Sequence, residues 1–168
     1  MSSELPSDRP SDRPSELPTD LAENGHDDAS VVRLVDLRET PIDVTEVLAA
    51  VETVAGGGLD IFVGTVRDHD HGHGVTGLEY DAHPSALDRL REVTDKVATG
   101  YDVLAVAAVH RVGRLALGDV AVVVAAAAVH REEAFAATRA LIDDLKATVP
   151  IWKHQLFDDG SDEWVGTP

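Results

Sequence analysis

Two lysines seven residues apart, Lys146 and Lys153, stand among Leu145, Val149, Ile151 and Trp152. The chain holds only one other lysine, Lys96. A partly desolvated ammonium beside a second cation has a lowered pKa and can serve as general acid, general base or nucleophile. Lys146 follows Phe135 by eleven residues, which on a helix puts both on nearly one face, away from the face that points into solvent. Lys153 shares strand parity with Ile151, and Trp152 faces the other way. The pattern fits the wall of a site for an anionic substrate. It fits equally two lysines whose stems cover apolar surface while the ammonium reaches water.

Three further groups carry candidate chemistry. Ala108-Val-His-Arg111 recurs as Ala128-Val-His-Arg131, each at the end of an apolar run. Arginine grips a phosphate through parallel N–H donors. His130 and Arg131 also open a helix, whose N-terminus favours an anion. A satisfied strand-end ion pair is the alternative for either copy. Arg67 closes Phe62-Val-Gly-Thr-Val-Arg67, where Gly64 lets a backbone or ligand come close; a surface arginine paired to one of many acids is the alternative. Asp68-His-Asp-His-Gly-His-Gly74 offers His69, His71, His73 and two aspartates as ligands for zinc, nickel or iron. Alternation in a glycine-bearing loop fixes no coordination geometry, so the plainer reading is a mobile polar hairpin tip, with no metal and no cofactor expected.

The bulk composition narrows the classes. In 168 residues, 31 acids oppose 14 lysines and arginines, for a net charge of -17. Such a surface repels nucleic acid and anionic membranes. Twenty of the acids are aspartate, the solvated acidic surface of a halophilic protein, such as a halophilic archaeon makes. In that field a cation cluster needs a reason to persist. There is no cysteine, which removes thiolate nucleophiles, persulfide carriers, disulfides and cysteine-ligated metals. Any sulfur chemistry must bring its sulfur on a partner. No run approaches the length of a membrane span and the acidic, proline-rich start is unlike a signal peptide, so the expected location is cytoplasmic.

The elements that must position these residues follow from periodicity. Residues 1–30 form a low-complexity, proline-rich acidic segment, read as a disordered tail; residues 31–168 form the one domain. Val31 to Asp36 reads as a strand. Asp43-Val-Thr-Glu46 has the form of a capping box before a helix through Val47, Leu48, Val51 and Val54, stopped by Gly56-Gly-Gly58. Leu59 to Arg67 reads as a buried strand that pairs with Val75–Asp81 across the polar loop. Pro84 opens a helix with Leu87, Leu90 and Val97, ended by Gly100. Asp102–His110 and Val120–Val129 are antiparallel core strands joined by a turn-rich link. A helix from Arg131 carries Ala134, Phe135, Leu141, Ile142 and Leu145 on one side until Pro150. Ile151–Phe157 is a strand, and Trp164 packs a last edge strand. The fold class is α+β, on a mainly antiparallel sheet with flanking helices.

Phe62-Val-Gly-Thr-Val-Arg67, Leu78-Glu-Tyr-Asp-Ala-His-Pro84, His110-Arg-Val-Gly113, Gly118-Asp119, Val129-His-Arg131 and Ile142-Asp-Asp-Leu-Lys146 running into Pro150-Ile-Trp-Lys153 follow one another in order. That order, over about residues 31–165, resembles the large, catalytic subunit of molybdopterin synthase. The resemblance implies an α/β-hammerhead-like fold and a sulfurtransferase. Such enzymes insert two sulfurs into cyclic pyranopterin monophosphate to make the dithiolene of molybdopterin. The sulfur arrives as the C-terminal thiocarboxylate of a small ubiquitin-like carrier subunit, whose tail threads into the large subunit. The resemblance also implies a homodimer of large subunits within a heterotetramer. By motif it makes Lys146 and Lys153 catalytic, with Lys146 at the carrier's terminal carbonyl and Lys153 on the substrate. Arg67, His130 and Arg131 would hold phosphate and pterin, and Thr65, Val66, His154 and Gln155 would line the pocket, some of these across the dimer. Two departures stand out: the histidine-rich loop 68–74, and Ala-Ala-Val before His130 where small and hydroxyl residues are common in the family.

Overall fold

Two continuous apolar strands, β5 (Ala105–Arg111) and β7 (Val120–Ala128), pair antiparallel at the centre of the fold, and nearly every residue in them is buried. Continuous rather than alternating apolar sequence is what a strand covered on both faces requires. The computed structural model describes residues 30–166; the expected tail, apart from Ser30, lies outside the described residues. β1 (Val32–Arg38) flanks β5 and β2 (Gly58–Thr65) flanks β7, giving a four-stranded sheet in the order β1-β5-β7-β2. The β1–β5 pair is parallel, the one departure from the expected antiparallel pairing in this sheet.

Helices cover both faces. α2 (Ala86–Gly100) and α3 (Arg131–Thr148) bring Leu90, Val93, Val97, Leu141 and Leu145 against Val106, Ala108, Val122 and Val124. α1 (Val44–Val51) lays Val47 and Val51 on the opposite face, against Ala105, Ala107, Val123 and Ala125. Half of the capping box forms: the Asp43 carboxylate accepts from Thr45 N at 2.8 Å, but Glu46 turns away to pair with Arg38 at 2.9 Å. α1 ends at Val51, so Val54 lies beyond the helix and is fully exposed, not on its apolar stripe.

The second sheet runs β3 (His69–Asp70), β4 (His73–Ala82), β8 (Ile151–Phe157), β9 (Asp162–Val165), with β6 (Gly113–Leu115) also on β4. Here the expected hairpin of strands 59–67 and 75–81 is corrected. β2 pairs with β7 in one sheet and β4 with β8 in the other. A register shift between Gly64 and Thr65 turns the chain out of the first sheet. The backbone of Val66 is then held by Gly118 and Asp119, and its side chain seals a small cluster with Leu78, Leu115 and Ala121. β2 is also not a buried strand: Leu59, Phe62 and Val63 are all more than a third exposed, because β2 is the outer strand of its sheet. Phe135, expected on the apolar side of α3, is 56% exposed.

Candidate anion-binding site

Asp70 is the polar centre of the junction between the sheets. Its carboxylate accepts from Gln155 Nε2 at 2.8 Å, Arg67 Nη2 at 3.0 Å and Lys153 Nζ at 3.3 Å. Lys153 and Gln155 come from β8, two residues apart and therefore on one face; Arg67 comes from the segment after β2. The Gln155 amide, then the Lys153 ammonium, hold the Asp70 carboxyl down at about 2 although it is partly buried. The loop expected to be a mobile tip is a two-residue hairpin: His71 (φ 49) and Gly72 (φ 88) both take left-handed backbone, as a type I′ turn requires. That turn aims Asp70 inward while the neighbouring His71 side chain stays 88% exposed. Among the described residues no three His, Asp or Glu side chains are grouped to hold a metal ion.

Lys146 stands in the last turn of α3. Its ammonium lies 5.8 Å from the centroid of the Phe62 ring, within cation–π range. It is exposed, as is Phe135, so the face they share is open in the single chain rather than turned from solvent. The neighbour of Lys153 is correspondingly a carboxylate, not a second cation. The two lysines are linked through aromatic rings. Lys146 acts electrostatically on His110, the His110 ring meets Tyr80 edge-on at 4.9 Å, and Tyr80 sits directly opposite Lys153 in the β4–β8 register. His110 is buried, and its Nδ1 lies 2.7 Å from the Arg111 carbonyl oxygen, so Nδ1 carries the proton. Burial, reinforced by the positive Lys146, lowers its pKa to about 4. Burial likewise raises the Tyr80 hydroxyl.

The other candidates are distributed unevenly. Thr65 is exposed beside Arg67, and Val66 is packed into the core cluster with its backbone groups already used. His154 projects to the opposite face of β8, stacked on Trp164 at 4.4 Å and bonded to Asp162. His130 and Arg131 stand at the far end of α3, fifteen residues and therefore about 22 Å from Lys146 along the helix axis. The two copies of the His-Arg echo differ: Arg111 pairs with Asp119 at 2.9 Å, while Arg131 has no ion-pair partner among the described residues. Gly57 and Gly58 make room for this helix start, since a Cβ on either would fall 2.6 to 3.0 Å from the backbone of Val129 or Arg131. Sequence reasoning missed Asp70 and Tyr80. The signal for Asp70 was a His-Gly pair flanked by alternating residues, a hairpin turn pattern.

Lys153 from β8 and Arg67 from the segment after β2 thus share one carboxylate with the buried Gln155 amide, while Lys146 at the end of α3 lies over the Phe62 ring; guanidinium, ammonium and amide donors are the groups that pair with anions. Fold and sequence together define an α+β protein with no thiol of its own. The chain belongs to the MoaE protein family, which matches residues 37–148. It is 47% identical over 131 residues to molybdopterin synthase catalytic subunit 1 of Mycobacterium tuberculosis, covering 77% of this chain and 88% of that protein. Among solved structures it resembles molybdopterin synthase from Staphylococcus aureus (TM-score 0.74, 29% identity, 79% of this chain and 97% of that one). It shares its fold with a chain in the complex of subunits 1 and 2 of molybdopterin-converting factor from Helicobacter pylori (TM-score 0.59, 22% identity, 82% and 90% covered).

Proposed function

We propose that this chain is the catalytic subunit of a molybdopterin synthase, a sulfurtransferase that converts cyclic pyranopterin monophosphate to molybdopterin with sulfur from the C-terminal thiocarboxylate of a small ubiquitin-like carrier. The carrying observation is Lys146. It is an ammonium without a carboxylate partner among the described residues of a protein with net charge -17, held over an aromatic ring. Family membership supports the same reading. Each transfer joins the thiocarboxylate sulfur to a side-chain carbon of the pterin substrate as a carbon–oxygen bond at that carbon breaks, the oxygen leaving with the opened phosphate ring or, protonated, as water. Water then cleaves the bond between that sulfur and the carrier's carbonyl carbon, and the carrier leaves as a carboxylate. Lys146 faces the developing oxyanion and donates the proton it needs. Lys153 and Arg67 bind the substrate, with Thr65 and Gln155 beside them.

His130 and Arg131 join the site from a second copy. One chain holds them about 22 Å away from Lys146. β2 is an outer strand with no partner on its far edge among the described residues, and Leu59, Val63, Val129 and Phe135 around it are exposed. Two-fold antiparallel pairing along β2 would set its Gly58 end, where Arg131 lies, beside the partner's Thr65 end, where Arg67 lies. A homodimer with one carrier on each chain gives the heterotetramer. Among the described residues no helix is long and apolar enough to cross a membrane, which is compatible with the cytoplasmic location we assign. Reconstitution tests the reading: wild-type protein with thiocarboxylated carrier should form the dithiolene product, and an adaptor that only docks the carrier would form the complex without product.

A further inference from the structure

The β3–β4 hairpin tip presents one carboxylate, that of Asp70, to three donors. A four-residue stretch, Asp70 to His73, reverses the chain through a turn in which one non-glycine residue, His71, takes left-handed backbone. Such conformations persist where the surroundings hold them. The result is a carboxylate only 12% exposed, with donors from Arg67, Lys153 and Gln155 all within 3.3 Å. Gln155 is almost wholly buried, and without an acceptor its amide would be left unpaired. A guanidinium, an ammonium and an amide converging on one point are the donor set for a phosphate, whose oxygens have the same appetite for them.

Building on the anion-site reading above, we propose that Asp70 is the positioning residue of this site: an internal counter-anion that holds Arg67, Lys153 and Gln155 converged until the substrate's phosphate takes over their donors. Two opposed effects follow. The carboxylate keeps the Lys153 ammonium in place before substrate arrives, which favours turnover. Its charge also repels the incoming phosphate, which weakens binding.

Asp70→Asn keeps the shape and one acceptor oxygen but removes the charge. Inorganic phosphate titrated calorimetrically into the full chain at low salt should bind D70N about ten-fold more tightly than wild type, as expected for removing one like charge about 5 Å away in a partly screened site. In the reconstituted reaction, D70N should lower KM for the pyranopterin and also lower kcat, a split that simple loss of structure does not produce. Equal or weaker phosphate binding by D70N overturns the proposal. In wild-type protein, saturating phosphate should shift the Asp70 carboxyl carbon resonance, and an unmoved resonance overturns the proposal without any substitution. The titration needs neither carrier nor turnover. Tighter phosphate binding by D70N alongside an inactive wild-type protein would therefore sink the synthase reading while supporting the counter-anion role.

Discussion

The two ends of α3 each carry a cation with no ion-pair partner among the described residues, and they are built differently. At the C-terminal end Lys146 faces Phe62, a buried His110 and, beyond Tyr80, an assembled cluster around Asp70. At the N-terminal end His130 and Arg131 are exposed, and neither side chain has a hydrogen-bond partner among the described residues. Arg38, Arg67, Arg89, Arg91, Lys96, Arg111, Arg114, Arg139 and Lys153 each pair with a carboxylate. One end is pre-organised and the other stands open to solvent in the single chain. The difference teaches that an unpartnered charge does not by itself say how a site is built; its surroundings do, aromatic rings at one end and solvent at the other.

Lys146→Ala should have the largest effect, lowering dithiolene formation by about a thousand-fold or more while carrier binding, followed calorimetrically, stays largely intact. Unchanged turnover would sink the assignment of the C-terminal end. Arg131→Ala should cost roughly a hundred-fold by loosening the substrate. Mixing the Lys146→Ala and Arg131→Ala chains sharpens the comparison. If the ends meet across a dimer, each hybrid has one intact site, and random mixing restores roughly a quarter of wild-type activity. If both act within one chain, mixing restores nothing.

Acid should damage the pre-organised end first. His110 has a folded pKa of about 4, below its unfolded value, so the unfolded chain binds the extra proton and stability falls as pH drops from about 6.5 towards 4. Replacing His110 with asparagine should flatten that part of the stability curve, by on the order of 3 kcal/mol, in denaturant melts at pH 4 and 6.5. A slope that persists unchanged would place the acid-sensitive group elsewhere. The smallest effect belongs to Lys96→Gln, which removes an exposed pair with Asp144 at 2.7 Å: a change below about 0.5 kcal/mol in melting, and none in turnover. A large loss there would mean that lysines in this chain matter through general charge rather than place.

Much of the fold was legible because periodicity and punctuation are local. Pro150, Gly100 and the valine–alanine runs marked α3, α2, β5 and β7 to within a few residues. What failed involved distant partners. Nothing near Leu59–Arg67 says that its neighbour is β7 rather than the next strand, so the expected hairpin was wrong. Phe135 and Phe62 look like core residues because their types are apolar; their exposure depends on β2 being an outer strand. Asp70 was hidden in a loop whose histidines drew attention to metals.

By itself, then, the sequence determined the α+β class, the need for delivered sulfur in a chain without cysteine, and the residues Lys146, Lys153, Arg67, His130 and Arg131 as candidates. Those follow from residue chemistry and short-range spacing. Only the tertiary structure decided that Arg67, Lys153 and Gln155 share one carboxylate, that Val66 is a core residue, and that Arg131 stands apart from Lys146 within one chain. The physical reason is that strand pairing and helix length convert sequence separation into distance, and neither conversion is written in any single motif.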